Sequence, residues 1–375
     1  MNHPFVEQDP VDRVSISRLG VIINPKSGSK QGVSLVPDVL QPVWGDQYGI
    51  EIEVFETEYA RHAIQLAKTI DLDSLDGLVI CGGDGSFHEL VNGMMQRDDN
   101  KSIPLGLIPS GTGNAVGHTL SLHKKRLEEA AHRIARGEVF PLDLNRVKFK
   151  TSKSSRSAIK YSVMTICWGL VGDIGTAAEL NRNNVLAKYG VAAWVGFKSK
   201  PEKVTIQLEG GDLDQPLVIN KDLMTAFIQN TPHFGEGYYV TPAAKIDDGQ
   251  MDVCVVERAH RGTLLKMFTQ LPKGSHIHSD IAQTYSVEKA VITPALSPGL
   301  INIDGEVIPF AGPITVTVVP RALSVFSSVS SHLKTSDLPE PVDVTVPSKS
   351  GKGKGKGKGK GKGKGKDKGK GKGKK

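Results

Sequence analysis

The sequence predicts an α/β half followed by a mostly antiparallel β half. Three observations carry that prediction. In the first 140 residues, short apolar runs alternate with segments of helical spacing. Three of those runs, ending at Ile23, Ile80 and Ile108, lead directly into loops of small residues. From Pro141 onward the helical spacing gives way to short strand-like runs bounded by turn residues.

Taken in order, residues 1–17 are polar and acidic at their start and are expected to be disordered; they do not read as a signal peptide. A strand is expected over 18–23, followed by Asn24-Pro25-Lys26-Ser27-Gly28, where Lys26 and Lys30 could offset phosphate charge. Alone, that loop reads equally well as a solvated turn. Residues 51–56 alternate as a strand, Thr57 follows, and Ala60, Ala63, Ile64 and Ala67 recur at helical spacing. Residues 76–80 read as a buried strand. Cys81-Gly82-Gly83-Asp84-Gly85-Ser86 comes next, and Ser86 with Glu89 has capping-box spacing, so a helix is expected to start at Ser86. A fourth strand over 104–108 ends in Pro109-Ser110-Gly111-Thr112-Gly113-Asn114, and a helix over 124–136 stops at Gly137.

In the second half, strands are expected over 142–148, 161–167, 204–208, 224–229, 251–256, 290–292, 300–303 and 314–319, with a hairpin tip over 151–157. One helix interrupts them near 185–198. Its apolar content exceeds what one buried face needs, and both an acyl cavity wall and ordinary core packing account for it. The boundaries are therefore 1–17 disordered, 18–140 α/β, 141–327 β, and 328–375 a disordered tail ending in a Gly-Lys repeat.

At 375 residues the chain has room for two domains. Its formal charge of +7 misleads: residues 351–375 hold 13 Lys and one Asp, which leaves the remainder at −5. A basic nucleic-acid face on the body is thereby disfavoured, and the tail reads as a solubiliser or as a peripheral contact for an anionic membrane. Cys81, Cys167 and Cys254 are scattered in apolar runs, which fits neither a disulfide framework nor a zinc site and suggests a reducing, cytoplasmic setting. No apolar run approaches the ~18 residues of a membrane span.

The loops carry the chemistry. A parallel sheet brings the carboxyl ends of its strands to one edge, so the three loops should share one cleft. The central one presents bare backbone N–H groups at a helix start to an anion, through Gly83 and Gly85. Asp84 is a carboxylate inside that cradle. It can hold Mg²⁺ through water or take a proton from an attacking hydroxyl during phosphoryl transfer. A dinucleotide fingerprint from Gly83 fails at His88, and a P-loop from Gly106 fails at Thr112.

Together these motifs resemble the diacylglycerol kinase catalytic superfamily, and within it the sphingosine kinases, from about Arg18 to Phe326. The resemblance lies in Asn24-Pro25-Lys26-Ser27-Gly28, in Glu56-Thr57-Glu58 with Ala60 to Ala63, and in Gly83-Asp84-Gly85 with His88-Glu89 and Asn92-Gly93. It continues in Gly111-Thr112-Gly113-Asn114 and in Ile303-Asp304-Gly305-Glu306. It implies a Rossmann-like N-terminal domain and a C-terminal antiparallel β-sandwich, with ATP and Mg²⁺ held between them and a long-chain lipid as acceptor. By position it implies Asp84 as general base. It implies a nucleotide site of Asn24, Lys26, Thr57, Gly83, Gly85, Ser110, Gly111, Thr112, Asn114, Arg182, Lys188, Asp304 and Glu306. Lys188 stands where sphingosine kinases place an arginine, which keeps the charge and loses the bidentate fork. Asp173 would meet the lipid head group; it also reads as a turn cap. A sphingoid base is the implied acceptor, with diacylglycerol or ceramide as alternatives. An NAD kinase and a nucleotide-binding protein without turnover stand further off. An NAD kinase would have no need of the apolar surface expected around Trp168 and Trp194.

Overall fold

The computed structural model describes residues 12–25, 32–111, 114–120, 122, 127–151, 156–170, 172, 199–234 and 237–327, all within one compact unit. In chain order, the first half holds β1 (Asp12–Arg13), β2 (Arg18–Ile23) and α1 (Gly32–Leu35), which continues as a π-helical run over Val36–Gln47. It goes on with β3 (Glu51–Glu56), α2 (His62–Thr69), β4 (Gly77–Gly82), α3 (Asp84–Met94), β5 (Leu105–Pro109), α4 (Ala115–Thr119) and α5 (Leu127–Ala135). Strands β2, β3, β4 and β5 pair in parallel in the order β3-β2-β4-β5. All six residues of β4 are buried, because it has a strand on each side and lies in the middle of the first apolar core. That explains why it reads as a continuous apolar run, whereas β3, at the edge of the sheet, alternates. Trp44 ties the π-helical run to α5 by donating its indole N–H to the Ala131 carbonyl at 2.8 Å.

The second half contains β6 (Glu138–Thr151), β7 (Ser157–Ser162), β8 (Thr165–Gly169), β9 (Glu202–Glu209) and β10 (Leu217–Gln229). These lead to β11 (Met251–Glu257), α6 (Arg261–Gln270), β12 (Ala282–Val287), β13 (Lys289–Pro294), β14 (Gly299–Ile303) and the long β15 (Glu306–Phe326). Antiparallel pairing runs β15-β14-β8-β10-β9-β13 and back to β15, which closes a six-strand ring. Inward residues of all six strands, among them Trp168, Ile206, Ile292, Ile301 and Phe310, form its core.

This corrects the expected architecture. The first half is not a self-standing Rossmann-like sheet. Parallel order is confined to the four N-terminal strands, apart from a single parallel bridge between Val325 of β15 and Leu105 of β5. All belong to one 15-stranded sheet dominated by antiparallel pairs, and the β half closes on itself as a barrel. Trp168 is corrected with it: its side chain lies in the closed core and offers no wall to a lipid. Trp194 and the expected 185–198 helix lie outside the described residues, as does the 152–155 tip of the β6–β7 hairpin. The single strand expected over 161–167 is two, broken at Val163 and Met164, for a reason that belongs to the site. The three cysteines are buried and unpaired. Among the described residues, no helix is long and apolar enough to cross a membrane.

Candidate functional site

The carboxyl ends of β2, β4 and β5 lie at one edge of the parallel strands, and two of their loops touch backbone to backbone. Gly111 N–H donates to the Gly82 carbonyl at 3.1 Å. A Cβ on Gly111 would stand 2.5 Å from the Gly83 Cα, so the approach requires glycine. Gly85 differs: a Cβ there would meet nothing within 4 Å. Among the described residues no contact demands glycine at that position, which is what a backbone face reserved for a ligand looks like.

α3 begins at Asp84 with Gly83 as its N-cap, two residues earlier than expected, and no side chain caps it. The Ser86–Glu89 capping box is therefore unused; the Ser86 side chain instead fills the space where a Gly82 Cβ would be. Asp84 turns away from its own helix. Its two carboxylate oxygens accept from Ala115 N–H at 3.0 Å and Val116 N–H at 2.9 Å, at the start of α4. It thereby fixes the third loop against the second. Burial pushes its proton affinity up, and the Asp304 charge adds to that, while the two amides and His118 oppose it. Asn114 holds the same loop by donating to the Gly111 carbonyl at 2.9 Å, and its buried Oδ1 has no partner among the described residues.

A cleft of about 220 Å³ opens beside these loops. Its wall includes Asn24, Thr57, Arg61, Ser86 and Glu89 over an apolar floor that includes Ile22 and Ile80. The expected nucleotide residues Asn24 and Thr57 thus share one cleft. Ser110 and Gly111 follow β5 beside the glycine turn, and Asn114 caps α4. Lys26, Thr112, Asp173, Arg182 and Lys188 lie outside the described residues.

The late Asp-Gly-Glu turn, between β14 and β15, meets the wall of this cleft through Arg61, which pairs with Glu306. Asp304 is buried, and its carboxylate accepts from Ser162 Oγ (2.7 Å), Val163 N (2.7 Å), Met164 N (3.1 Å), Thr165 N (2.8 Å) and the His88 ring (2.9 Å). Three backbone amides drawn onto one carboxylate are the reason the chain breaks between β7 and β8. They and His88 hold the Asp304 carboxyl below its ordinary range against the opposing effect of burial. His88 lies with Nδ1 on Asp304 and Nε2 at 3.7 Å from Glu306. Burial alone would lower its affinity for a proton, but the two carboxylates raise it to about 9. Glu306 also pairs with Arg61 at the start of α2 and with Lys160 on β7. Burial works against its charge, yet His88 and the two cations keep it at about 2. Asn92, one turn beyond His88, donates to the Tyr161 carbonyl at 2.8 Å and accepts from Tyr161 N–H at 3.0 Å, which fastens α3 to β7. His88 was legible as part of a motif. Lys160 and Ser162 were not, because no local pattern marks them; Arg61 lies within the recognised 60–63 stretch, yet nothing local marks it as a partner of Glu306.

The donor set suits a nucleotide: open backbone at Gly85, a buried acceptor on Asn114 with no partner among the described residues, and polar walls at Asn24 and Thr57. A protein-built metal cage is a poorer match. Among the described residues no three His, Cys, Asp or Glu gather for a metal, and Asp84, Asp304 and Glu306 already have partners. Mg²⁺ commonly keeps its waters and rides on substrate phosphates, and this site fits that mode.

Residues 18–147 match the diacylglycerol kinase catalytic domain family, and residues 170–327 match the YegS C-terminal NAD kinase beta sandwich-like domain family. The first half thus carries a diacylglycerol kinase catalytic domain, and the chain is a lipid kinase by class. Among its curated relatives is sphingosine kinase 1 of Arabidopsis thaliana, 29% identical over 339 residues, 78% of this chain and 68% of that protein. Another is sphingoid long chain base kinase 4 of Schizosaccharomyces pombe, 28% identical over 354 residues, 84% of this chain and 75% of that protein. In fold it is similar to a diacylglycerol kinase from Bacillus anthracis, with a TM-score of 0.62 at 16% identity over 85% of this chain and 100% of that one.

Proposed function

We propose that this protein transfers the γ-phosphoryl group of ATP to the primary hydroxyl of a sphingoid base. The observation that carries the reading is Asp84. It is held rigid between two glycine loops, at the strand edge where an anion would sit, with its affinity for a proton raised. Asp84 acts as the general base. The two amides fix its plane, and each oxygen keeps a lone pair for the acceptor hydroxyl. Asn24, Lys26, Thr57, Ser110, Thr112 and Asn114 hold the nucleotide, and the backbone at Gly83, Gly85 and Gly111 approaches its phosphates. Arg182 and Lys188 add charge from the β half. Mg²⁺, when bound with ATP, neutralises charge developing on the phosphate oxygens. Asp304 acts by position, through His88 and the 162–165 turn, because its carboxylate is filled by protein donors. Since the step needs little covalent chemistry from the protein, most of the rate comes from alignment and charge stabilisation.

A sphingoid base carries an ammonium beside its hydroxyls, and Asp173 would pair with it. The curated relatives named as sphingosine and sphingoid-base kinases support this choice. A diacylglycerol acceptor is the second reading, supported by the relative named diacylglycerol kinase in Bacillus subtilis, 24% identical over 78% of this chain and 90% of that protein. We place the enzyme in the cytosol, with no catalytic role for the lysine-rich stretch over 348–375. Deleting that stretch should leave activity in detergent micelles intact.

The deciding experiment is radiolabelled phosphate transfer from ATP, with sphingosine, ceramide and diacylglycerol in parallel mixed micelles. Wild type should favour sphingosine, and Asp173→Asn should lose that preference selectively. Preference for diacylglycerol or ceramide, with a mild Asp173→Asn effect, would keep the kinase and reject the head-group assignment. In Asp84→Asn, transfer should fall by about 10²–10⁴-fold with ATP binding retained. Loss of ATP binding there would assign Asp84 to holding the loops instead.

A further inference from the structure

Arg61 and Lys160 belong to different elements, the start of α2 and the middle of β7, yet each pairs with a separate oxygen of Glu306. The Arg61 side chain is 64% exposed and lines the cleft with Ser86 and Glu89. Stability alone explains it poorly. An exposed ion pair adds little, while Arg61 stands in the left-handed backbone region, φ 67°, at a cost that glycine or asparagine would largely escape. An exposed pair of small worth, held by a strained backbone, points to a second use for the cation.

Glu306 is the group the two cations share, and it carries a single charge. Of the carboxylates around it, Glu89 lies on the cleft wall within the field of Arg61 and His88, and Asp304 is committed to its five donors. A triphosphate brings several charges and many acceptor oxygens to the same place. Beside it, the open face of Gly85 and the start of α3 already favour an anion.

We propose that Arg61 and Lys160 are phosphate-binding cations of the nucleotide site, and that Glu306 holds them at its mouth until ATP displaces it. This rests on the nucleotide reading above. Glu306 is then a placeholder as well as part of the turn that joins the barrel to the cleft. On ATP entry the guanidinium moves from carboxylate to phosphate, a partner of similar bidentate geometry.

The test is calorimetric binding of ATP and of adenosine, without Mg²⁺, to the full chain and to Arg61→Gln, Lys160→Gln, Arg61→Lys and Glu306→Gln, each checked by circular dichroism. Arg61→Gln and Lys160→Gln should each weaken ATP by about tenfold, the scale of a charge-assisted hydrogen bond. Adenosine, which lacks phosphate, should bind as before, and Arg61→Lys should recover part of the loss. Glu306→Gln is the sharper arm: freeing the cations should tighten ATP severalfold. A purely structural strut predicts the opposite, so weaker or unchanged ATP binding in Glu306→Gln overturns the proposal. Equal loss of ATP and adenosine in Arg61→Gln overturns it too. If the wild type binds neither ligand, the nucleotide reading itself fails and takes the proposal with it.

Discussion

At the scale of single residues, the chain places a protonated histidine between two carboxylates and seals it from water. His88 titrates at about 9 in the fold, above the ordinary 6.5 of imidazole. A raised value means the fold binds the proton more tightly than the unfolded chain does. Its contribution is complete below pH 6.5 and drains away as pH rises through 9. Glu306, lowered to about 2 from 4.5, works in the other direction: its contribution is complete above pH 4.5 and is lost as pH falls through 2. Both are fully present between pH 4.5 and 6.5. Thermal melts should therefore show the wild type losing up to about 3 kcal/mol between pH 6.5 and 9, with His88→Gln losing much less over the same window. Parallel slopes for the two proteins would mean that His88 is neutral in the fold. A histidine at this position matters to the joint between the two halves as well as to the cleft, since Asp304 uses it together with three backbone amides.

At the scale of elements, the glycines of one signature do different work. Gly93 lets α2 and α3 touch: a Cβ there would lie 2.4 Å from the Ile64 carbonyl oxygen and 2.6 Å from the Ala67 Cβ. Gly93→Ala should cost about 1–3 kcal/mol, as overpacking does. Gly85 faces open space, so Gly85→Ala should melt like the wild type and still bind ATP more weakly. A matched drop in melting temperature for both variants would show that Gly85 is structural after all. The contrast also shows what sequence could reveal. Strands β2 and β3 were legible to the residue, because each apolar or alternating run stops at a polar loop. The break between β7 and β8 was not, since Asp304, far along the chain, makes it by drawing off three amides. The helical stretch over 32–47 was missed because Pro37 and Pro42 argue against a helix, and the chain accommodates Pro42 inside a π-helical run. The glycine loops and Asp84 could be read from local order. Arg61 and Lys160 could not, because only the tertiary fold brings them to Glu306.

At the scale of the whole molecule, two strands decide how the body behaves. β15 spans 21 residues and β6 spans 14, and they pair with each other along most of their length. Their residues enter both apolar cores: Phe140, Leu144, Val325 and Phe326 pack with the parallel strands, while Val147, Phe149, Ile314 and Val316 pack inside the barrel. The last turn of this connection is direct, for Val325 of β15 pairs in parallel with Leu105 of β5. Neither core can lose its structure without exposing strands that the other needs, so the two should unfold together. Trp44 in the first core and Trp168 in the second are fully placed to report on it. Melts of Trp44→Phe and Trp168→Phe, followed by fluorescence and by calorimetry, should each show one transition, with the two probes coinciding within each variant. Two separated transitions would mean that β6 and β15 are a seam between independent folds. The cleft would then be set by how those folds dock, and the Asp304–His88 and Asn92–Tyr161 contacts would have to hold it shut unaided. One transition instead makes the cleft part of a single cooperative fold, its walls set by strands that both cores share.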